Sequence, residues 1–147
     1  MEDGGTMDWY SFCGVFKWEI IGAAGDVRPD GAIVEERIVL FYAASFDEAI
    51  RLGEAEAEAY TRDTWPNSSG DTVRKRYLGV CNVFAMKASP AEGVEAYSRL
   101  LLRPSTEADD VVIERLLGSE SEQAIDVDAF EPDFDRVVEM NREDTKG

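Results

Sequence analysis

Two stretches of strict alternation, separated by a turn-rich segment and followed at once by a capped helix, constrain this chain more than any other feature. From Trp9 onward, Tyr10, Phe12, Phe16, Trp18 and Ile20 fall on one face, and Ser11, Cys13, Val15, Lys17 and Glu19 on the other. A period of two is the signature of a half-buried strand. Residues 22–31 contain Gly25-Asp26 and Pro29-Asp30-Gly31, the residue types that close a hairpin. A second strand is predicted over 32–43, with Val34, Ile38, Leu40 and Tyr42 on one face. Glu35, Arg37, Val39 and Phe41 share the other.

Ser45-Phe46-Asp47-Glu48 then forms a capping box, in which the serine oxygen accepts from the Glu48 amide. The spacing predicts a helix over 46–62 whose inward stripe is Phe46, Ala49, Ile50, Gly53, Ala57 and Tyr60. Ala49, Gly53 and Ala57 are small and four apart, so the helix can approach a sheet closely. Asp47 with Arg51 and Glu58 with Arg62 are expected as i, i+4 pairs on its solvated side.

Trp65 to Asp71 reads as a loop, 73–87 as a third strand, and 94–103 as a fourth after the Ser89-Pro90 turn. Ser105-Thr106-Glu107 is expected to cap a short helix reaching Leu117, which Gly118 ends. The fold class expected is α+β: an antiparallel sheet of about four strands in two hairpins, one long helix across one face, and an acidic C-terminal helical or extended arm. The expected division is a flexible lead-in over 1–8, the α+β domain over 9–117 and the arm over 118–147.

At 147 residues and 44% hydrophobic composition, the chain can bury a core without metal or disulfides. Charge is distributed very unevenly along it. Residues 104–147 carry 14 Asp/Glu against 4 Lys/Arg, whereas 72–103 carry 2 against 6. The overall charge of −16 argues against direct contact with nucleic acid or an anionic membrane, which rely on clustered Lys and Arg. It favours a basic protein partner instead.

The chain has no histidine, which removes Ser-His-Asp and Cys-His nucleophilic systems and imidazole bases. A non-enzymatic protein without a cofactor is therefore expected. Cys13 and Cys81 lie in apolar strand-like runs and are expected as buried thiols, with a bridge or a reactive role as the alternative. The acidic start lacks the features of a secretory signal, and no apolar run approaches the ~20 residues that span a bilayer. A cytoplasmic location without membrane contact follows as the expectation.

Three constellations carry possible chemistry. The alternating segment Asp126, Asp128, Phe130, Glu131, Asp133, Phe134 and Asp135 is the candidate partner-binding site, with carboxylates facing a basic groove and phenylalanines as anchors. Docking of the same segment on its own domain is the plainer alternative, and it lacks the glycine and terminal glutamate of a calcium loop. Arg74-Lys75-Arg76 is too short for nucleic acid and is expected to pair with the C-terminal carboxylates. Glu19, Glu35 and Glu36 would serve a small ligand, a metal ion or acid-base chemistry if they converged. Apolar residues on both strand faces also admit a homodimer.

The run Trp9-Tyr10-Ser11, then Glu35-Glu36-Arg37-Ile38-Val39-Leu40 leading into Ser45-Phe46-Asp47-Glu48-Ala49-Ile50, resembles the family of small bacterial proteins catalogued as domain of unknown function 4288. Glu54 to Glu58, Tyr77-Leu78-Gly79 and Glu95-Ala96-Tyr97-Ser98 fit the same resemblance, which covers about residues 9–103. It implies a compact bacterial domain, and no catalytic residue comes with it. From the residues themselves, the function expected is an acidic interaction protein of the immunity, antitoxin or DNA-mimicking type.

Overall fold

A computed structural model describes residues 6–29, 31–117 and 127–134. Four strands make one antiparallel sheet: β1 (Asp8–Ile21), β2 (Ile33–Ala43), β3 (Trp65–Pro66) and β4 (Thr72–Ala85). Their order is β2-β1-β4-β3. Because β1 runs antiparallel to both of its neighbours, β2 and β4 are parallel to each other without touching.

The helix α1 (Phe46–Tyr60) leads from β2 to β3 and packs on residues of β1, β2 and β4. The Ser45 hydroxyl accepts from the Glu48 amide at 3.1 Å, a cap that contributes about 1 kcal/mol. Ala49, Gly53 and Ala57 are its buried residues, and Gly53 sits directly over the Phe12 ring. The expected pairs of Asp47 with Arg51 and Glu58 with Arg62 are not among the ion pairs of the described residues; Arg37 of β2 holds Glu56 of the helix instead.

The face of the sheet under α1 carries Tyr10, Phe12 and Phe16, all buried. Edge-to-face contacts join Tyr10 to Phe46 and Phe16 to Tyr60. On the opposite face Ser11, Cys13 and Glu19 are also buried, whereas Val34, Ile38 and Tyr42 are exposed.

Two expectations about strands need correction. Residues 94–103 form no strand, and the fourth strand is Trp65–Pro66, inside the expected loop. Its two-residue ladder is too short for any period to register. The second hairpin is therefore β3-β4, with Asn67 at its turn.

The ladder between β1 and β4 also breaks register twice, between Cys13 and Gly14 and between Val15 and Phe16. Each break leaves one β4 residue without a partner, first Cys81 and then Leu78. Gly79, at φ +147°, adopts a backbone that side chains avoid and permits the second bulge. The first bulge is why Cys81 is exposed, against the expectation that both thiols are buried.

The second helix, α2 (Asp109–Leu117), begins later than expected, because Ser105 and Thr106 lie in a turn ahead of it. A 3₁₀ turn, Val127–Phe130, follows. β1 starts at Asp8, inside the expected lead-in. Most of the expected arm, 118–126 and 135–147, lies outside the described residues. Among the described residues, no helix is long and apolar enough to cross a membrane.

Candidate functional site

The register of the sheet brings Trp18 of β1 opposite Lys75 of β4 on one side and Ile33 of β2 on the other. Glu35 lies one position along the same face, opposite Phe16. The last turn of α1 places Tyr60 above them. Its hydroxyl donates to the Glu35 carboxylate at 2.9 Å, and the Trp18 indole donates to the same group at 2.9 Å. Burial and the hydrogen bond to Glu35 together push the Tyr60 phenol up to about 12.

Cations flank this ring. The Arg37 guanidinium lies 3.7 Å from the Tyr60 centroid, and the Lys75 ammonium 3.5 Å. Arg37 is held bidentately by Glu56, with its Nη2 donating at 2.8 Å, and that bond raises its pKa. Lys75 is in a different position. It is only 9% exposed, and its ammonium lies against Tyr60, with Trp65 at 5.4 Å and Trp18 at 5.9 Å. Among the described residues no oxygen makes a hydrogen bond or ion pair with it.

Burial lowers the Lys75 pKa, opposed by the field of Glu35, whose carboxylate is already engaged by Trp18 and Tyr60. Cation-π contact contributes roughly 0.5–2 kcal/mol and replaces only part of the lost hydration.

Beside this cage lies a cavity of about 450 Å³ lined by Trp18, Ile33, Trp65, Phe130, Glu131 and Pro132. Trp18 and Trp65 meet edge to face at 5.4 Å and belong to both cage and cavity. The far wall comes from the 3₁₀ turn, tied on by three bonds. The Trp65 indole donates to the Phe130 carbonyl at 2.8 Å, Asn67 Nδ2 to the Ala129 carbonyl at 2.8 Å, and the Asp133 amide to the Pro66 carbonyl at 2.8 Å. Asn67 itself is fixed, its Oδ1 accepting from the amides of Ser69 and Asp71.

The residues expected to bind a partner are thus divided. Phe130 is buried at 4% exposure and Asp133 is half-buried, while Asp128 and Glu131 are exposed and Phe134 is 73% exposed. Asp126 and Asp135 lie outside the described residues.

The strand carboxylates do not converge. Glu35 faces α1, whereas Glu19 and Glu36 are on the opposite face, with Glu36 exposed. Glu19 accepts from Arg76 Nε and Arg74 Nη2, each at 2.9 Å, and these bonds hold its carboxyl below the usual range. The basic triplet therefore splits. Arg74 and Arg76 pair with β1 rather than with the described C-terminal carboxylates, and Lys75 turns under the helix. Among the described residues no group of three or more Cys, Asp or Glu side chains is placed to hold a metal ion.

Sequence reasoning missed Lys75, Tyr60 and Trp65 as one site. A signal for Lys75 was present, since period two puts it on the face of Val73 and Tyr77, opposite Arg74 and Arg76. Nothing local links it to Trp65.

In comparisons with known proteins, residues 9–98 match the family described as "Domain of unknown function (DUF4288)". No curated protein and no solved structure matches the chain.

Proposed function

Because the chain belongs to the family described as "Domain of unknown function (DUF4288)", whose description names no activity, we propose a function from the site alone: binding of a small apolar or aromatic carboxylic acid in the cavity beside Lys75. The observation that carries this reading is an ammonium set against three aromatic rings, with no acceptor among the described residues, next to an apolar cavity. A charge on a largely buried side chain, held against ring faces, recovers only part of its lost hydration, which is why burial lowers its pKa. A ligand oxygen reaching Lys75 between Trp18 and Trp65 would offset that loss, while the ligand's carbon skeleton displaces water from the cavity.

Tryptophan fluorescence tests this reading, since Trp18 and Trp65 line the cavity. The probe is 3-phenylpropionate, with its neutral amide as the comparison. For a ligand this small, saturable quenching with Kd on the order of 0.1–1 mM is expected. The amide should bind at least several-fold more weakly, and Lys75→Met should remove the preference for the acid. No saturable change, or equal binding of acid and amide to the wild-type protein, would overturn the reading.

A second reading keeps the acidic segment as the functional surface, binding a basic protein partner in the manner of an immunity protein, antitoxin or DNA-mimicking inhibitor. Phe134 favours it, because a ring 73% exposed beside exposed Asp128 and Glu131 is an anchor in an acidic setting. On this reading the protein is not an enzyme. Low-salt affinity purification with the full chain and with an Asp128→Asn, Glu131→Gln, Phe134→Ala variant separates the outcomes. A basic protein held by the wild type and lost from the variant, then shown to bind when purified, supports it. Equal retention disposes of it.

A further inference from the structure

The two cysteines are far apart in sequence, yet the β1-β4 ladder makes them neighbours. Cys13 pairs with Asn82, and the next pair along is Gly14 with Val80, so Cys81 is the residue that bulges out between them. Both thiols are free, Cys13 buried and Cys81 exposed. The segment after β4 lies against the pair, with Asn82 Nδ2 donating to the Ser98 carbonyl at 3.4 Å.

We propose that Cys13 and Cys81 form a reversible redox dithiol, closed by exchange with a low-molecular-weight disulfide of the glutathione class, with Cys81 attacked first and Cys13 resolving. In the first step the Cys81 thiolate displaces one thiolate from the oxidant, breaking its S–S bond and forming a mixed disulfide. In the second, Cys13 loses its proton and attacks Cys81 Sγ, expelling the other thiolate. The protein dithiol gives up two electrons and two protons, and the oxidant leaves as two thiols. The product bridge would join β1 to β4 across the bulge.

The environment sets the order of attack. Burial, followed by the contact with Cys81 and the charge of Glu36, raises the Cys13 thiol to about 11, opposed by a hydrogen bond from Tyr97. Cys13 is therefore almost wholly protonated near neutrality, and solvent reaches Cys81 alone. Closure is the slow step, and it should accelerate by roughly tenfold per pH unit as the Cys13 thiolate population grows.

The test treats the full-length protein with glutathione disulfide under native conditions and follows it by intact mass and peptide mapping. The expected course is transient glutathionylation at Cys81, then a monomer lighter by two hydrogen atoms whose map contains a Cys13-Cys81 linked peptide. Dithiothreitol should restore both thiols. Cys13→Ala should stop at a stable mixed disulfide, and Cys81→Ser should not react. A wild-type adduct that persists on Cys81, a disulfide-linked dimer, or a Cys81→Ser protein that reacts as fast as wild type would each overturn the proposal. If Cys13→Ala fails to fold, the wild-type map and Cys81→Ser still decide it.

Discussion

The indole N–H of Trp65 donates to the main-chain carbonyl of Phe130 at 2.8 Å, across 65 positions of sequence. This bond fixes the 3₁₀ turn against the sheet edge and closes one wall of the cavity beside Lys75. The Phe130 ring is buried there, whereas Phe134, four residues on, is exposed.

Phe130→Ala should accordingly cost about 3 kcal/mol, the usual loss for an enclosed phenylalanine. Phe134→Ala should change stability by less than about 0.5 kcal/mol. Urea denaturation of both variants, monitored by tryptophan emission, checks the contrast. Equal effects would mean that the two rings are not differently placed.

Gly53 gives a second expectation. A Cβ at this position would stand 2.2 Å from Cδ2 of Phe12, a buried ring with little room to move. Gly53→Ala gains roughly 1 kcal/mol of helix propensity. Overpacking of this kind costs typically 1–3 kcal/mol. The clash should win, giving net destabilisation, and Phe12→Leu in the same chain should recover part of it. Denaturation of the two single variants and the double measures that coupling.

Glu19 makes stability depend on pH. Its folded carboxyl titrates below the usual range because Arg76 and Arg74 donate to it. The stabilisation is therefore present above the unfolded carboxyl value of about 4.3 and is lost as pH falls through the lower folded value. Both arginines reach solvent, so Glu19→Gln should cost only about 1 kcal/mol near neutrality. Denaturation midpoints of wild type and variant should converge as the solution is acidified below pH 4.

Asn67 is 1% exposed and uses both ends of its amide. Asn67→Asp keeps the acceptor for Ser69 and Asp71 but turns an oxygen toward the Ala129 carbonyl in place of the donor. A penalty of about 2 kcal/mol is expected near neutrality. The new carboxyl should have a raised folded pKa. The variant then approaches wild-type stability below the unfolded carboxyl value, and loses it as pH rises through the folded one. Melting curves at acidic and neutral pH check the direction.

Legibility followed the reach of each signal. The faces of β1 and β2 could be read directly, because alternation is a local property of an extended chain. The Ser45 cap and the small stripe of α1 were equally plain, as both act within one or two turns. The bulge that exposes Cys81 was hidden, since an extra residue in one strand is defined only by its partner. Trp65 and Pro66 read as a loop because two ladder positions carry no period. Lys75 was grouped with Arg74 and Arg76 by charge, although its place in the alternation separates it from both.

The amino-acid order by itself determined β1, β2, the capped helix and the side that each alternating residue of those two strands faces, because these rest on interactions spanning a few residues. Tertiary structure alone decided that β1 lies between β2 and β4, that Phe130 docks beside Trp65, that three aromatic rings gather around Lys75, and that Cys13 meets Cys81. Those pairings join residues tens of positions apart. They are selected by which distant surfaces bury apolar area and satisfy polar groups together, and no local period encodes that choice.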